Sequence, residues 1–235
     1  QLYRGETQGS VSGTKLRPKM AETGKSLWFV YLILTLTCSF CYFFSGMNLF
    51  DAITHSFTTV AIGGFSNYDQ SFAYFDNNFI YLFGSVFMFL SALSFSLHFI
   101  AIRKRTLDAY FLDPEVKFFS SVALLSFLFV FISTIIYSGN NDLSLLLKSL
   151  FQTISFLTTT GFTSEDHSAM PSYLPYFLIG LAGMGACAGS TGGGIKAIRI
   201  LIFAKQGAKE LKKLVHPNSV LPLKIGNKII NQEIK

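Results

Sequence analysis

His55-Ser-Phe-Thr-Thr-Val-Ala-Ile-Gly-Gly-Phe-Ser66 and Gln152-Thr-Ile-Ser-Phe-Leu-Thr-Thr-Thr-Gly-Phe-Thr163 are the stretches that decide the fold. Aligned without gaps, Gly64 falls on Gly161 and Phe65 on Phe162. Each stretch follows an apolar segment of membrane length. Each is too short to cross a bilayer and too apolar for a surface loop. Irregular backbone survives at membrane depth only where it is buried in protein or lines a cavity, so the pair reads as re-entrant pore loops. Ordinary Gly turns at helix ends are the competing reading. Two loops in register, each behind a half-length helix, favour the pore.

Half of the residues are apolar and only 14% are charged, against roughly 25% in an average soluble domain. The segments 27–44 and 118–137 carry no charge, and 79–102 carries only His98. Residues 173–195 are also uncharged but interrupted by glycines. These lengths reach or approach the ~20 residues of a spanning helix. None has a cleavage-type N-terminal flank, so no signal peptide is expected.

The net charge of +6 is distributed for a membrane rather than for nucleic acid. Basic residues gather before Leu27, between residues 103 and 117, and from Lys196 onward. The other connectors hold Lys148 beside Asp51, Asp69, Asp76, Asp142, Glu165 and Asp166. This is the positive-inside pattern. It places both termini and the middle connector in the cytoplasm and both Gly loops on the outer side, where acidic residues concentrate cations or simply solvate loops. Cys38 and Cys41 lack a second ligand pair, and the four histidines are scattered, so a metal centre or a catalytic triad is not expected.

The offset of 97 between Gly64 and Gly161 makes the chain an internal repeat of helix, short pore helix, Gly loop and helix. The expected organisation is a connector at 1–18, repeats at 19–105 and 106–214, and a linker at 215–235. The pore helices are expected over 50–59 and 146–156, about ten residues each and so long enough for only half of a ~30 Å core. Asp113-Pro114-Glu115 has the N-cap, first-position Pro and first-turn acid of a helix start. Gly46 and Gly139 fall where C-terminal caps belong. Both polar ends look like interior linkers of a longer polypeptide.

A cation filter replaces hydration water with backbone oxygens, and Gly permits the backbone angles required. The candidate ligands are Ile62, Gly63 and Gly64 with Thr159, Thr160 and Gly161. Thr59, Phe65 and Phe162 are their expected supports. Residues 180–194 contain seven glycines, too many for a stable helix interior at roughly 1 kcal/mol each. A broken helix lining the pore accounts for them. Gly189, Ser190, Thr191, Gly192, Gly193 and Gly194 are the candidate gate, with close helix packing through small residues as the alternative. Lys196 and Arg199 are read mainly as snorkelling to the cytoplasmic face, and secondarily as an electrostatic barrier or a partner of the gate. His98 is expected to make a helix–helix hydrogen bond.

The chain resembles the Trk/Ktr/HKT superfamily of potassium transporters, in particular its bacterial TrkH-type branch. The resemblance rests on residues 1–4, 57–66, 157–163, 183–196 and 216–218, and runs over essentially the whole chain. It implies an all-α polytopic membrane protein whose pore is pseudo-fourfold, with one Gly filter loop per repeat. It also implies K+ as the transported ion, bound at the filter residues only, with no organic cofactor. This chain matches the second and third repeats, so the remaining two come from elsewhere or from a second copy, as in a homodimer. The implied partner at the cytoplasmic face is a nucleotide-binding regulatory subunit of TrkA type, meeting the basic segment 205–213. The expected function is gated potassium uptake across a bacterial inner membrane. Na+/K+ co-conduction is an alternative within transport. A non-conducting assembly fragment and an intramembrane hydrolase using Ser190 and Lys196 are the alternatives outside it.

Overall fold

The computed structural model describes residues 20–139, 142–165 and 170–215, with two short strands at Lys224–Ile225 and Lys228–Ile229. Apart from that antiparallel strand pair, all of the regular structure is helical. The first long helix, α1, covers Met20–Phe44. The chain then turns through Gly46 into α2, Leu49–Val60. Asn48 caps α2 by accepting from the Asp51 N–H. After the first Gly loop, a 3-10 turn at Ser71–Tyr74 leads to α3, Asn78–Ala92, and α4, Phe95–Lys104. The short α5, Asp108–Leu112, connects to α6, Pro114–Ser138. The second half continues with α7, Leu143–Leu157, the second Gly loop, α8, Leu174–Met184, and α9, Ala197–Val215.

Local chemistry accounts for the helix ends. The Asp113 carboxylate caps α6, accepting from the N–H groups of Glu115 and Val116, with Pro114 at the first position. Gly139 ends α6 in the left-handed conformation and donates its N–H to Ile135. Among the described residues, α1 and α6 are long and apolar enough to cross a membrane, and α3 with α4 is a third candidate as a bent pair. Large apolar residues such as Phe40, Leu125 and Ile136 are exposed on them, as a lipid-facing surface allows.

The short helices α2 and α7 have 12 and 15 residues, longer than expected but still well short of a span at ~1.5 Å per residue. They pack against α1 and α6 respectively, and α3 packs on α7, which joins the two halves. Gly84 lets α3 approach: a Cβ there would lie 2.7 Å from a Phe151 ring carbon and 3.2 Å from the Tyr42 hydroxyl. Phe72, carried by the 3-10 turn, stacks into the same seam, 4.3 Å from the Phe162 ring centroid and 5.0 Å from that of Phe151.

One expectation is corrected. The apolar run 79–102 is not one straight helix. It breaks at Leu93–Ser94 and bends by 97°. No Gly or Pro sits at the break. The bend is set by contact with the Gly-rich run, whose Cys187 N–H donates to the Ala92 carbonyl and whose Gly189 carbonyl accepts from the Phe95 N–H, both at 3.0 Å. His98 braces the bend, bonding the Leu90 carbonyl at 2.8 Å and the Tyr110 hydroxyl at 2.6 Å. It thus links three helices, as expected of a buried membrane histidine.

Gly84→Val should overpack the seam against Phe151, at a cost of about 1–3 kcal/mol. The expected outcome is a lower thermal midpoint in detergent. Gly180→Ala, whose added Cβ meets nothing within 4 Å, should leave that midpoint unlowered.

Candidate functional site

The two Gly loops repeat one backbone pattern. The Gly63 N–H donates to the Thr58 carbonyl at 2.8 Å, and the Thr160 N–H donates to the Ser155 carbonyl at 2.8 Å. The Ile62 N–H meets Thr59 at 3.1 Å, and the Thr159 N–H meets Phe156 at 3.0 Å. Each donor and each acceptor lies 97 positions from its counterpart. Ile62 and Gly64 have positive φ, 54° and 69°, and so do Thr159 and Gly161, 70° and 87°. Gly63 and Thr160 between them do not. A chain whose φ alternates in this way can turn successive peptide groups to one side. Ile62 and Thr159 are β-branched residues in the left-handed region, which costs of order 1–3 kcal/mol each and persists only where the surroundings impose it.

The surroundings differ between the loops although the pattern is shared. In the first, the buried His55 donates from Nδ1 to the Asp51 carbonyl at 2.8 Å, and its Nε2 meets the Ser66 hydroxyl at 2.9 Å. Thr59 donates to the His55 carbonyl and meets the Tyr42 hydroxyl at 2.9 Å. In the second, Gln152 stands where His55 stood. Its Oε1 accepts from the Ser164 N–H at 3.1 Å and hydroxyl at 3.2 Å. Ser155 donates to the Phe162 carbonyl at 2.8 Å. His55 and Gln152 were not singled out as supports by sequence; their shared place in the 97-residue register was the available signal.

Phe162 is fully buried beside Phe72, Phe151 and His55. Phe65 departs from the expected packing against helices: it is 76% exposed among the described residues. The 3-10 turn that covers Phe162 has no equivalent beside Phe65 among the described residues.

The loops touch. A Cβ on Gly64 would overlap the Thr160 carbonyl oxygen and lie 2.8 Å from its carbon, so only Gly fits. The same direction from Gly161 meets nothing within 4 Å.

The Gly-rich run lies against both loops. After Met184 the chain stays non-helical until Ala197. The Gly193 N–H donates to the Thr159 hydroxyl at 2.9 Å, and the Thr191 hydroxyl donates to the Val60 carbonyl at 2.8 Å. A Cβ on Gly192 would stand 3.0 Å from the Thr158 carbonyl and 3.4 Å from the Ile62 side chain. Gly189 faces Ser94, and the Ser190 hydroxyl donates to the Cys187 carbonyl at 2.6 Å. Gly194 continues the run with a φ of 78°. Lys196 does not simply snorkel: its ammonium donates to the Gly192 carbonyl, which is the secondary reading. Glu115, read from sequence as a helix-start acid, is 3% exposed and reaches this run. Its Oε1 accepts from the Ala188 N–H at 2.7 Å and the Ile198 N–H at 3.2 Å. The motif residues 1–4 and 216–218, and His167, lie outside the described residues.

At the N-terminal end of α2, Asp51 gathers the Tyr68 hydroxyl at 2.7 Å, the Asn48 amide at 2.7 Å and the Asn67 amide at 3.1 Å. Burial pushes its carboxyl pKa up, but the hydrogen bonds from Tyr68 and Asn67 outweigh that and hold it below the ordinary value. The same bond to Asp51 pushes the Tyr68 phenol up to about 12. Lys148, 97 positions after Asp51, pairs with Asp76 at 2.7 Å.

The sequence model of the TrkH family, described as cation transport protein, matches residues 1–234. The Trk system potassium uptake protein TrkH of Escherichia coli (strain K12) is 44% identical over 238 residues, covering 100% of this chain and 49% of the relative. TrkG of the same organism, also a Trk system potassium uptake protein, is 37% identical over 235 residues, covering 100% of this chain and 48% of its own length. The crystal structure of the potassium transporter TrkH from Vibrio parahaemolyticus superposes with a TM-score of 0.88 at 43% identity. That match covers 93% of this chain and 47% of the other. The chain spans about half the length of the curated relatives it matches.

Gly64→Ala and Gly161→Ala should differ in cost. Both place Ala at positive φ, worth roughly 1–2 kcal/mol, but only Gly64→Ala also collides with Thr160. The larger drop in thermal midpoint is expected at Gly64. Asp51 gives a pH signature: a depressed folded pKa contributes stability above the unfolded value of about 3.9 and loses it as pH falls through the folded one. Melting curves on acidification should show that loss in the native protein, and Asp51→Asn should flatten it.

Proposed function

Because the chain belongs to the TrkH family of cation transport proteins, we propose that it supplies two adjacent repeats, 19–105 and 106–214, of a potassium uptake pore in a bacterial inner membrane. Ile62, Gly63 and Gly64 with Thr159, Thr160 and Gly161 form half of a filter that holds desolvated K+ by backbone carbonyls. The observation that carries this reading is the asymmetric packing of the loops. Gly64 abuts the backbone of Thr160, while the equivalent direction from Gly161 is open. Two neighbouring sectors of a ring have this relation, and further repeats beyond this chain would extend it. The positive φ shared by Gly64 and Gly161 and by Ile62 and Thr159 supports carbonyl ligation in both loops.

Residues 189–194 serve as the gate. Their contacts with Thr159 and Val60 support a position beneath the filter, on the side from which the basic α9 leaves. The basic residues Arg103, Lys104 and Arg105 at the end of α4, and Lys205 to Lys213 on α9, support a cytoplasmic placement of both termini. The exposed α9 is a suitable contact for a nucleotide-binding regulatory subunit of TrkA type, and the assembled transporter is a homodimer. The hydrolase alternative is disfavoured by the Ser190 hydroxyl, which commits its proton to the Cys187 carbonyl instead of to a base.

The test is growth of an uptake-deficient bacterium at low K+, with this chain flanked by the two outer repeats of the Escherichia coli relative. Restored growth is expected, with loss on Gly64→Asp or Gly161→Asp, because a carboxylate at either position displaces the carbonyl ligands. The chain alone, well inserted, is expected not to restore growth. A flanked chain that inserts well but never supports growth would sink the reading.

A further inference from the structure

Glu115 makes two contacts that its place in a helix start does not require. Its own helix is already capped, because Asp113 accepts from the Glu115 and Val116 N–H groups at 2.8 and 3.3 Å. One Glu115 oxygen is thereby free to serve a different part of the chain. It accepts from Ala188, 6% exposed, and from Ile198, 4% exposed. Ala188 immediately precedes Gly189. Ile198 is the second residue of α9, whose first-turn amides have no partner within their own helix. The Glu115 side-chain oxygen therefore caps α9 from another element.

These two partners bracket the candidate gate. Residues 189–197 form a closed loop whose two roots are tied to one oxygen atom. The roots are further joined by the Ala197 N–H, which donates to the Ala186 carbonyl at 3.0 Å. The span between the roots is held differently. Gly193, Thr191 and Gly189 each bond a different element, Thr159, Val60 and Phe95 respectively, and Gly193 and Ile195 also bond back to Ala186 and Gly183, each at 3.3 Å. Lys196 crosses the loop to the Gly192 carbonyl. The base is thus held through a single buried carboxyl group, and the tip through contacts spread over separate elements. A segment with firm roots and an exchangeable tip moves as a flap.

Resting on the gate reading above, we propose that Glu115 is the positioning residue of the gate: it pins both roots of the 189–197 loop, so that opening swings the tip away from Thr159 and Val60 while residues 188 and 198 stay fixed. Glu115 does not touch the ion. Its removal should leave the filter intact and remove control over closure.

The test uses the flanked polypeptide in liposomes, read by rubidium tracer flux and by hydrogen exchange of the segment 186–198. Glu115→Ala is expected to raise flux in the closed condition about tenfold, the scale of a net intramolecular hydrogen bond, with the half-saturating concentration unchanged. Glu115→Gln, which keeps an acceptor oxygen, should stay near the native flux, and Glu115→Asp, with a shorter reach, should fall between. Exchange at Ala188 and Ile198 should accelerate in the order Gln, Asp, Ala. If Glu115→Ala does not insert, the Gln and Asp variants carry the same comparison. Native closed-state flux in the Asp and Ala variants, or a changed half-saturation without added leak, overturns the proposal. So does unaltered exchange at the two amides. A native protein without flux would refute the gate reading, while the exchange data would still decide whether Glu115 holds both roots.

Discussion

Non-helical backbone inside a membrane must find all of its hydrogen bonds within the protein, and this structure is organised around that requirement. Besides the break at Leu93–Ser94, the two Gly loops and the Gly-rich run leave helical geometry among the described apolar elements. Each unsatisfied buried amide would cost about 1–3 kcal/mol, more in hydrocarbon. The segments satisfy one another. Thr159 takes the Gly193 N–H, Val60 takes the Thr191 hydroxyl, Ala92 takes the Cys187 N–H, and Glu115 takes two amides at the base of the run.

The bend between α3 and α4 follows from the same constraint. A 97° break at Leu93–Ser94 frees backbone groups that a continuous helix would pair. The neighbouring run supplies partners for Ala92 and Phe95 on either side of the break. The cost of interrupting one helix is offset by contacts with an interruption in another. Any movement of the run must therefore be felt at the bend, where His98 connects α3, α4 and α5.

The two halves reach one loop geometry with different side chains. His55 and Ser66 brace the first loop, whereas Gln152 and Ser164 brace the second. Asp51 centres a hydroxyl and amide cluster, while Lys148 at the equivalent place forms an ion pair with Asp76. What persists is the backbone: paired positive φ angles and matching amide bonds.

Patterns of hydropathy, charge and glycine are local, and they were readable without coordinates. The apolar runs, the positive-inside asymmetry, the 97-residue offset and the seven glycines of 180–194 determined a helical membrane protein with two loops and a broken helix. His98 as a helix–helix linker was legible for the same reason, since a polar ring in an apolar segment must find a partner. Phe65 and Phe162 looked alike because their local contexts are alike. Only the tertiary neighbours made one exposed and the other buried. The break at Leu93–Ser94 and the reach of Glu115 across to residues 188 and 198 also have no local signal. Each is settled by which backbone groups a distant segment leaves unpaired, and that is decided only when the helices pack.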